Sequence, residues 1–317
     1  MRGDTGTAAA IFWGVVRLKF IVSTIAVLSF LSTAFAQQPS GMLEKIKDSG
    51  AITIGHRESS VPFSYYDENQ QVIGYAMDLC YRIVDAVKTE LKMDALEVKL
   101  NPVTSATRIP LIANGTVDLE CGSTTNNLDR EKQVAFTITH FVTANRFVSK
   151  KSANLKTVDD LKGKTIVSTS GTTNIKQITE IGAERNLDLN IIAAKDHAEA
   201  FLMVETDRAA AFVMDDILLY SLVATSKSPG EYVISADALS VEPYGIMLRR
   251  DDPAFKKVVD AEMIATYKSG AINGIYEKWF LKPIPPKGIN LDVPMSASFK
   301  KVIADPTDTG DPAWYRQ

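Results

Sequence analysis

Lys164-Thr165-Ile166-Val167-Ser168-Thr169 runs directly into Ser170-Gly171-Thr172-Thr173, and what surrounds this stretch decides the fold. A short β-prone run, a small-polar turn and an apolar-periodic segment spell strand, turn and helix. The pattern then continues: helix 172–185, strand 189–193, helix 196–206, strand 209–214, helix 215–223. Regular alternation of this kind predicts α/β architecture with mostly parallel sheets.

Upstream, the same alternation has already run once. Residues 51–55 read as a strand, 75–91 as a helix with Leu79, Ile83, Val84 and Val87 on one face, and 96–100 as a strand. A short helix over 109–114 stops at Gly115, a strand covers 117–120, and Asn126 or Asn127 offers a cap for a helix holding Arg130 in its first turn. A β-prone run, 137–149, precedes the restart. Downstream come strands at 232–234 and 244–248, helices at 253–269 and 271–280, and a proline-rich tail from 284 that reads as an irregular wrap. The restart near 150 marks a second unit inserted into the first. Residues 37–142 and 240–317 would form lobe 1 and residues 143–239 lobe 2. Two crossing segments make a hinge, and the cleft between the lobes becomes the natural ligand site.

The 317 residues suffice for two domains, and 45% hydrophobic with 23% charged residues is globular composition. Arg17 and Lys19 precede an apolar run over 20–31 and then Ala34-Phe35-Ala36. This reads as a secretory signal peptide over residues 1–36, cleaved near Ala36-Gln37, which implies an exported protein; an uncleaved anchor is the alternative. Residues 11–16 add an apolar patch such a leader does not need, so the true start codon stays open. Losing the leader removes Arg2, Arg17, Lys19 and Asp4, and takes the net charge from −3 to about −5 (−3 less +2). No basic run is present, so nucleic acid is not an expected partner. Cys80 and Cys121 could form one disulfide or remain thiols; the sequence leaves both open. No metal, cofactor or catalytic residue is expected.

In open α/β sheets, ligands gather at the carboxyl ends of strands and the N-termini of the following helices. Those places hold Arg57 after the first strand, Ser105 and Arg108 after the next, and Ser123, Thr125 and Arg130 after the third. In the second unit they hold Thr173, His197 and Asp215. Singly, each is an ordinary surface charge or helix cap. Together they exceed what one carboxylate needs, since a second arginine cluster implies a second anionic group. Asp215 has a use only if the ligand also carries a cation. Two carboxylates and an ammonium describe an acidic amino acid.

Residues 55–65 (Gly-His-Arg-Glu-Ser-Ser-Val-Pro-Phe-Ser-Tyr), the 120–130 segment, Ser170-Gly171-Thr172-Thr173, Ala194-Lys195-Asp196-His197 and Met214-Asp215-Asp216 resemble the periplasmic glutamate/aspartate-binding proteins. These are type II solute-binding proteins of ABC importers. The likeness runs from about residue 43 to 286 and includes Leu248 to Pro253 and Glu277 to Phe280. It implies a two-lobed α/β fold with the ligand cleft between lobes joined by two hinge segments. It also implies a monomer that delivers L-glutamate or L-aspartate to membrane permease subunits. By the same resemblance Arg130, Thr125, Ser123 and Thr173 hold the α-carboxylate, and Asp215, with Ser123, the ammonium. Arg57, Ser105, Arg108 and His197 would hold the side-chain carboxylate. An enzyme on the same scaffold, like the periplasmic cyclohexadienyl dehydratases, and an amino-acid sensor module are the alternatives.

Overall fold

The computed structural model describes residues 41–316, so the leader lies outside the described residues. Two mixed sheets organise the chain. The first has five strands in the order Glu97–Pro102, Ala51–His56, Leu119–Cys121, Met247–Arg249 and Val134–Phe136. The first three are parallel, and Met247–Arg249 runs antiparallel to both its neighbours. In the second sheet the order is Asn190–Ala194, Thr165–Thr169, Ala211–Asp215, Phe141–Lys150 and Tyr232–Ile234, with Ser240–Tyr244 also paired to Phe141–Lys150. Again the first three strands are parallel and the later ones antiparallel. The expectation of mostly parallel sheets therefore holds on only one side of each sheet. The antiparallel side arises where the chain leaves one sheet and returns to the other.

The strand interiors explain the layering. Ala211–Asp215 is buried at every position, as a strand covered on both faces must be. Glu97–Pro102, at the edge of its sheet, is mostly exposed. The Tyr75–Glu90 helix buries Leu79, Ile83, Val84 and Val87 on the face the periodicity predicts.

Phe141–Lys150 and Ser240–Tyr244 carry the chain between the sheets, pairing antiparallel from Ser240 opposite Asn145 to Tyr244 opposite Phe141. Their roots are fixed by aromatic packing. Phe141 stacks on Phe280 with ring centroids 4.9 Å apart, and Phe63 meets Phe141 and Tyr244 edge-on at 5.1 and 5.2 Å. The Tyr75 and Tyr267 hydroxyls donate to the carbonyls of His140 and Thr139 at 2.7 and 2.6 Å. Any bending between the sheets is thus confined to a short length of strand.

Three expectations about elements need correction. The single strand expected over 244–248 is two strands in different sheets, divided at Gly245. A Cβ at Gly245 would stand 3.0 Å from the Phe136 Cβ, so a side chain there would crowd the crossing chain against Phe136. The helix expected to carry Arg130 is a single 3₁₀ turn, Arg130–Lys132, too short for an appreciable dipole. The tail contains a helix, Ala297–Ala304, whose Ser296 Oγ accepts from Phe299 N–H at 3.1 Å and which buries Phe299 and Val302. Its prolines drew attention from a sound helix start. Sequence periodicity also missed the three short strands Ser59–Ser60, Ser64–Tyr66 and Val72–Ile73 and the helix Met42–Ser49, each too brief to show a period.

Cys80 and Cys121 form a disulfide, with Cα atoms 6.3 Å apart across a sequence separation of 41 residues. It ties the Tyr75–Glu90 helix to the strand that leads into Gly122. Chain entropy gives a loop of that length about 4 kcal/mol, the upper end of what such bonds usually contribute. Replacing both cysteines by serine should therefore lower the unfolding free energy by roughly 2–4 kcal/mol. Urea melts that superimpose for the two proteins would contradict that role.

Candidate functional site

The turn after Leu119–Cys121 is where the first sheet presents its polar groups. Arg130 folds back over it, donating from Nη1 to the Thr125 carbonyl at 2.7 Å and from Nη2 to the Gly171 carbonyl at 3.2 Å. Arg108 opens the Arg108–Ala113 helix and donates from Nη1 to the Ser123 carbonyl at 3.2 Å and to Thr124 Oγ1. Arg57 follows the Ala51–His56 strand, where its N–H donates to Ser64 Oγ at 2.9 Å.

From the second sheet come three helix starts. Thr173 opens one helix beside its cap Thr172, and His197 opens another after the cap Asp196, whose carboxylate accepts from Glu199 N–H at 2.9 Å. Asp215 stands at the cap position of Asp216–Thr225 but makes no capping hydrogen bond. It turns inward instead, accepting from Asn174 Nδ2 at 2.7 Å and from the Tyr244 hydroxyl. The starts of three helices are therefore gathered beside one place, an arrangement that favours a bound anion.

Seven of the nine predicted residues, Ser105, Arg108, Ser123, Thr125, Thr173, His197 and Asp215, line one enclosed pocket, closed down to a cavity of about 10 Å³. Arg57 and Arg130 flank it. Arg57 reaches it through His197, Nη2 lying 3.4 Å from Nε2, and Arg130 through the Thr125 carbonyl. A guanidinium only donates, so Nε2 faces Arg57 as the acceptor and the imidazole proton sits on Nδ1, 2.8 Å from Thr169 Oγ1. Four buried donor atoms at this place have no hydrogen-bond partner among the described residues: Arg57 Nη1, Ser105 Oγ, Arg108 Nε and Ser123 Oγ. Buried donors are seldom left so, and four at one place mark a site built for a polar ligand. A wider concavity, about 790 Å³ between the Tyr75–Glu90 and Pro253–Lys268 helices, is different in kind. It is an open groove with solvent-reached charges of both signs, such as Arg82 and Glu262.

Burial governs the electrostatics. It lowers Arg57 to about 10 and Arg130 to about 9, with the charge of Arg108 the second cause in both; each still keeps its proton at neutral pH. Burial, then Arg57 and Arg108, push His197 well below its ordinary value, so it is neutral. Asp215 moves the other way. Burial and then the Glu242 charge raise it to about 7, against the opposing hydrogen bonds from Tyr244 and Asn174. The pocket thus offers permanent positive charge at one set of walls and a carboxyl group of adjustable charge at another.

Contacts across the site join the two sheets' loops. Besides Arg130 to Gly171 and Arg57 to His197, Lys176 Nζ lies 3.2 Å from Asp129 at the rim. Gly171 has φ +77°, and a Cβ there would stand 2.5 Å from the Ala106 Cα. Only a glycine permits an approach this close. Residues that strand-end reasoning did not find are Thr124, Asn174, Tyr244 and the two buried carboxylates Glu120 and Glu242. For Glu120 the sequence carries a weak signal, since a glutamate inside an expected strand is rarely buried unless it is paired.

Two mixed sheets joined by two crossing strands, with buried charge gathered where their loops meet, define the two-lobed type II periplasmic binding-protein fold. Solved structures agree. The P235GK mutant of ArgBP from T. maritima superimposes with a TM-score of 0.67 at 27% identity over 75% of this chain and 98% of that one. The ancestral amino acid-binding protein AncCDT-1, a precursor of cyclohexadienyl dehydratase, gives a TM-score of 0.63 at 25% identity over 76% and 99%. Residues 52–282 match the bacterial extracellular solute-binding proteins, family 3, and the chain belongs to that family. Among its relatives is the L-glutamate/L-aspartate-binding protein of Pseudomonas aeruginosa, 52% identical over 290 residues, 91% of this chain and 96% of that protein. The glutamate/aspartate import solute-binding protein of Escherichia coli is 47% identical over 266 residues, 84% and 88% of the two chains. The chain is accordingly a binding protein and not an enzyme.

Proposed function

We propose that this chain captures L-glutamate or L-aspartate between its lobes and delivers it to the membrane subunits of an ABC importer. The observation that carries this reading is the convergence of three buried arginines and Asp215 on one enclosed pocket with unpartnered donors. Arg130, Thr125, Ser123 and Thr173 would receive the α-carboxylate, and Asp215, with Ser123, the ammonium. Arg57, Ser105, Arg108 and His197 surround the place for the second carboxylate. His197 serves there as a neutral support for Arg57. Lobe 1 comprises residues 37–142 and 240–317 and lobe 2 residues 143–239. The protein would act as a periplasmic monomer after cleavage near Ala36-Gln37, without nucleic acid.

Closure supplies the mechanism. A ligand touching both lobes makes its full set of contacts only when they meet, so binding shifts the population to the closed form. The approach of Gly171 to Ala106 and the Arg130 bond to Gly171 describe such a closed form. Charge-assisted hydrogen bonds contribute roughly 1.5–3 kcal/mol each, and a handful supports a Kd of about 1 μM, or −8.2 kcal/mol, after ordering costs. Thermal-shift screening of the processed chain against the twenty amino acids tests the reading. Stabilisation by glutamate and aspartate alone is expected, and no response to either would overturn it.

A further inference from the structure

Glu120 has no part in the scheme above, yet it lies beneath the pocket with no solvent exposure. Its Oε2 accepts from Thr124 Oγ1 at 2.5 Å, and the same hydroxyl oxygen accepts from Arg108 Nη1. Arg108 Nη1, Thr124 and Glu120 thus form a relay in which every proton has a direction. Oε1 lies 3.9 Å from Arg108 Nη1 and has no hydrogen-bond partner of its own among the described residues. On the other side Gly122 keeps room for it. A Cβ at Gly122 would stand 2.5 Å from Glu120 Oε1 and 2.8 Å from Arg57 Cγ. The carboxylate therefore sits between the two arginines assigned to the ligand's second carboxylate, and its charge also acts on Arg130.

Three buried guanidinium groups around one pocket repel one another strongly, because low dielectric magnifies like-charge repulsion. Unopposed, they would also favour whichever ligand carries most negative charge. A fixed carboxylate beneath them offsets both effects. The relay has a second consequence. It engages Nη1 of Arg108, while Nε has no partner among the described residues.

We propose that Glu120, acting through Thr124, is a positioning and specificity residue. It aims Arg108 and sets the charge of the cleft so that a dicarboxylate bearing an ammonium group is preferred over one without it. The inference rests on an acidic amino acid occupying the cleft. Its test is titration calorimetry of L-glutamate and glutarate with the wild type, Glu120→Gln and Glu120→Asp. Glu120→Gln keeps the shape and an acceptor for Thr124 but removes the charge. The ratio of glutarate to glutamate Kd should fall at least tenfold in Glu120→Gln. Glu120→Asp should weaken both ligands while leaving the ratio within about threefold of wild type, since the ratio follows charge and the affinity follows aim. Equal weakening of both ligands by Glu120→Gln, or an equal ratio change in Glu120→Asp, would reduce Glu120 to a structural group and overturn the proposal. Should Glu120→Gln not fold, Thr124→Val breaks the relay with the charge retained. It should weaken glutamate at least fivefold at an unchanged ratio, and unchanged glutamate affinity would overturn the relay. A wild-type chain that binds no acidic amino acid is a separate failure, of the functional reading itself.

Discussion

Asp215→Asn should lose glutamate binding by 100-fold or more while making the ligand-free protein more stable. The first effect follows from the proposed ammonium contact. A buried ammonium facing a neutral amide lacks its counter-charge, and a charged hydrogen bond with its desolvation is worth roughly 3 kcal/mol. The second follows from the raised carboxyl group. Asp215 titrates at about 7 in the folded chain and at about 3.9 when unfolded. Between those values the native state binds more protons than the unfolded state, so this group's favourable contribution is complete below about pH 4 and lost as pH rises through 7. At pH 8 the wild type carries a buried charge that the asparagine variant lacks. Denaturant melts should then show the variant ahead by roughly 1–3 kcal/mol, a gap that narrows on acidification. Ligand affinity of the wild type should weaken as pH falls below about 7, by at most tenfold per unit because one proton is involved, and that slope should be absent from any residual binding by the variant. Calorimetry between pH 5.5 and 8 reads both. Undiminished binding by Asp215→Asn would remove Asp215 from the site.

Arg108→Ala should weaken glutamate at least tenfold and leave a folded chain of lower stability. The binding loss comes from the donor assigned to the second carboxylate. The stability loss comes from Glu120, which is left buried without its partner; breaking a buried pair from one side costs about 3–5 kcal/mol. Arg108→Gln should bind as poorly with a smaller stability loss, because its amide can still meet Thr124. The same arginine cluster explains why glutamine should be refused. Its amide brings no charge to a buried guanidinium, and a site built for a charged group discriminates strongly against its neutral analogue. Unchanged glutamate affinity in Arg108→Ala would take that residue out of the pocket's function.

Much of this was legible because strand ends are predictable places. Once the alternation of strands and helices is read, the loops that must converge are known, and the polar residues on them form a short list. Seven of them line one pocket. What was not legible is what depends on which way a strand residue faces. Glu120 lies in an expected strand and Glu242 just ahead of one, and the sequence does not say that both turn inward. Nor does the strand expected over 244–248 announce that the chain changes sheets at Gly245. That break follows from the tight approach to Phe136, a tertiary fact. The expected helix at Arg130 fails for a related reason. Arg130 is held by the carbonyls of Thr125 and Gly171 rather than by a helix of its own, so its place is set by long-range packing.

One titration tests the central claim, that the pocket between the sheets is a closing trap for an acidic amino acid. Titration calorimetry of the processed wild-type chain with L-glutamate, L-aspartate and L-glutamine at pH 7.5 should give one site per chain for the acidic pair, with a Kd of about 1 μM or tighter, and no saturable heat for glutamine. Glutamine binding as tightly as glutamate, or no heat with either acidic amino acid, would contradict it.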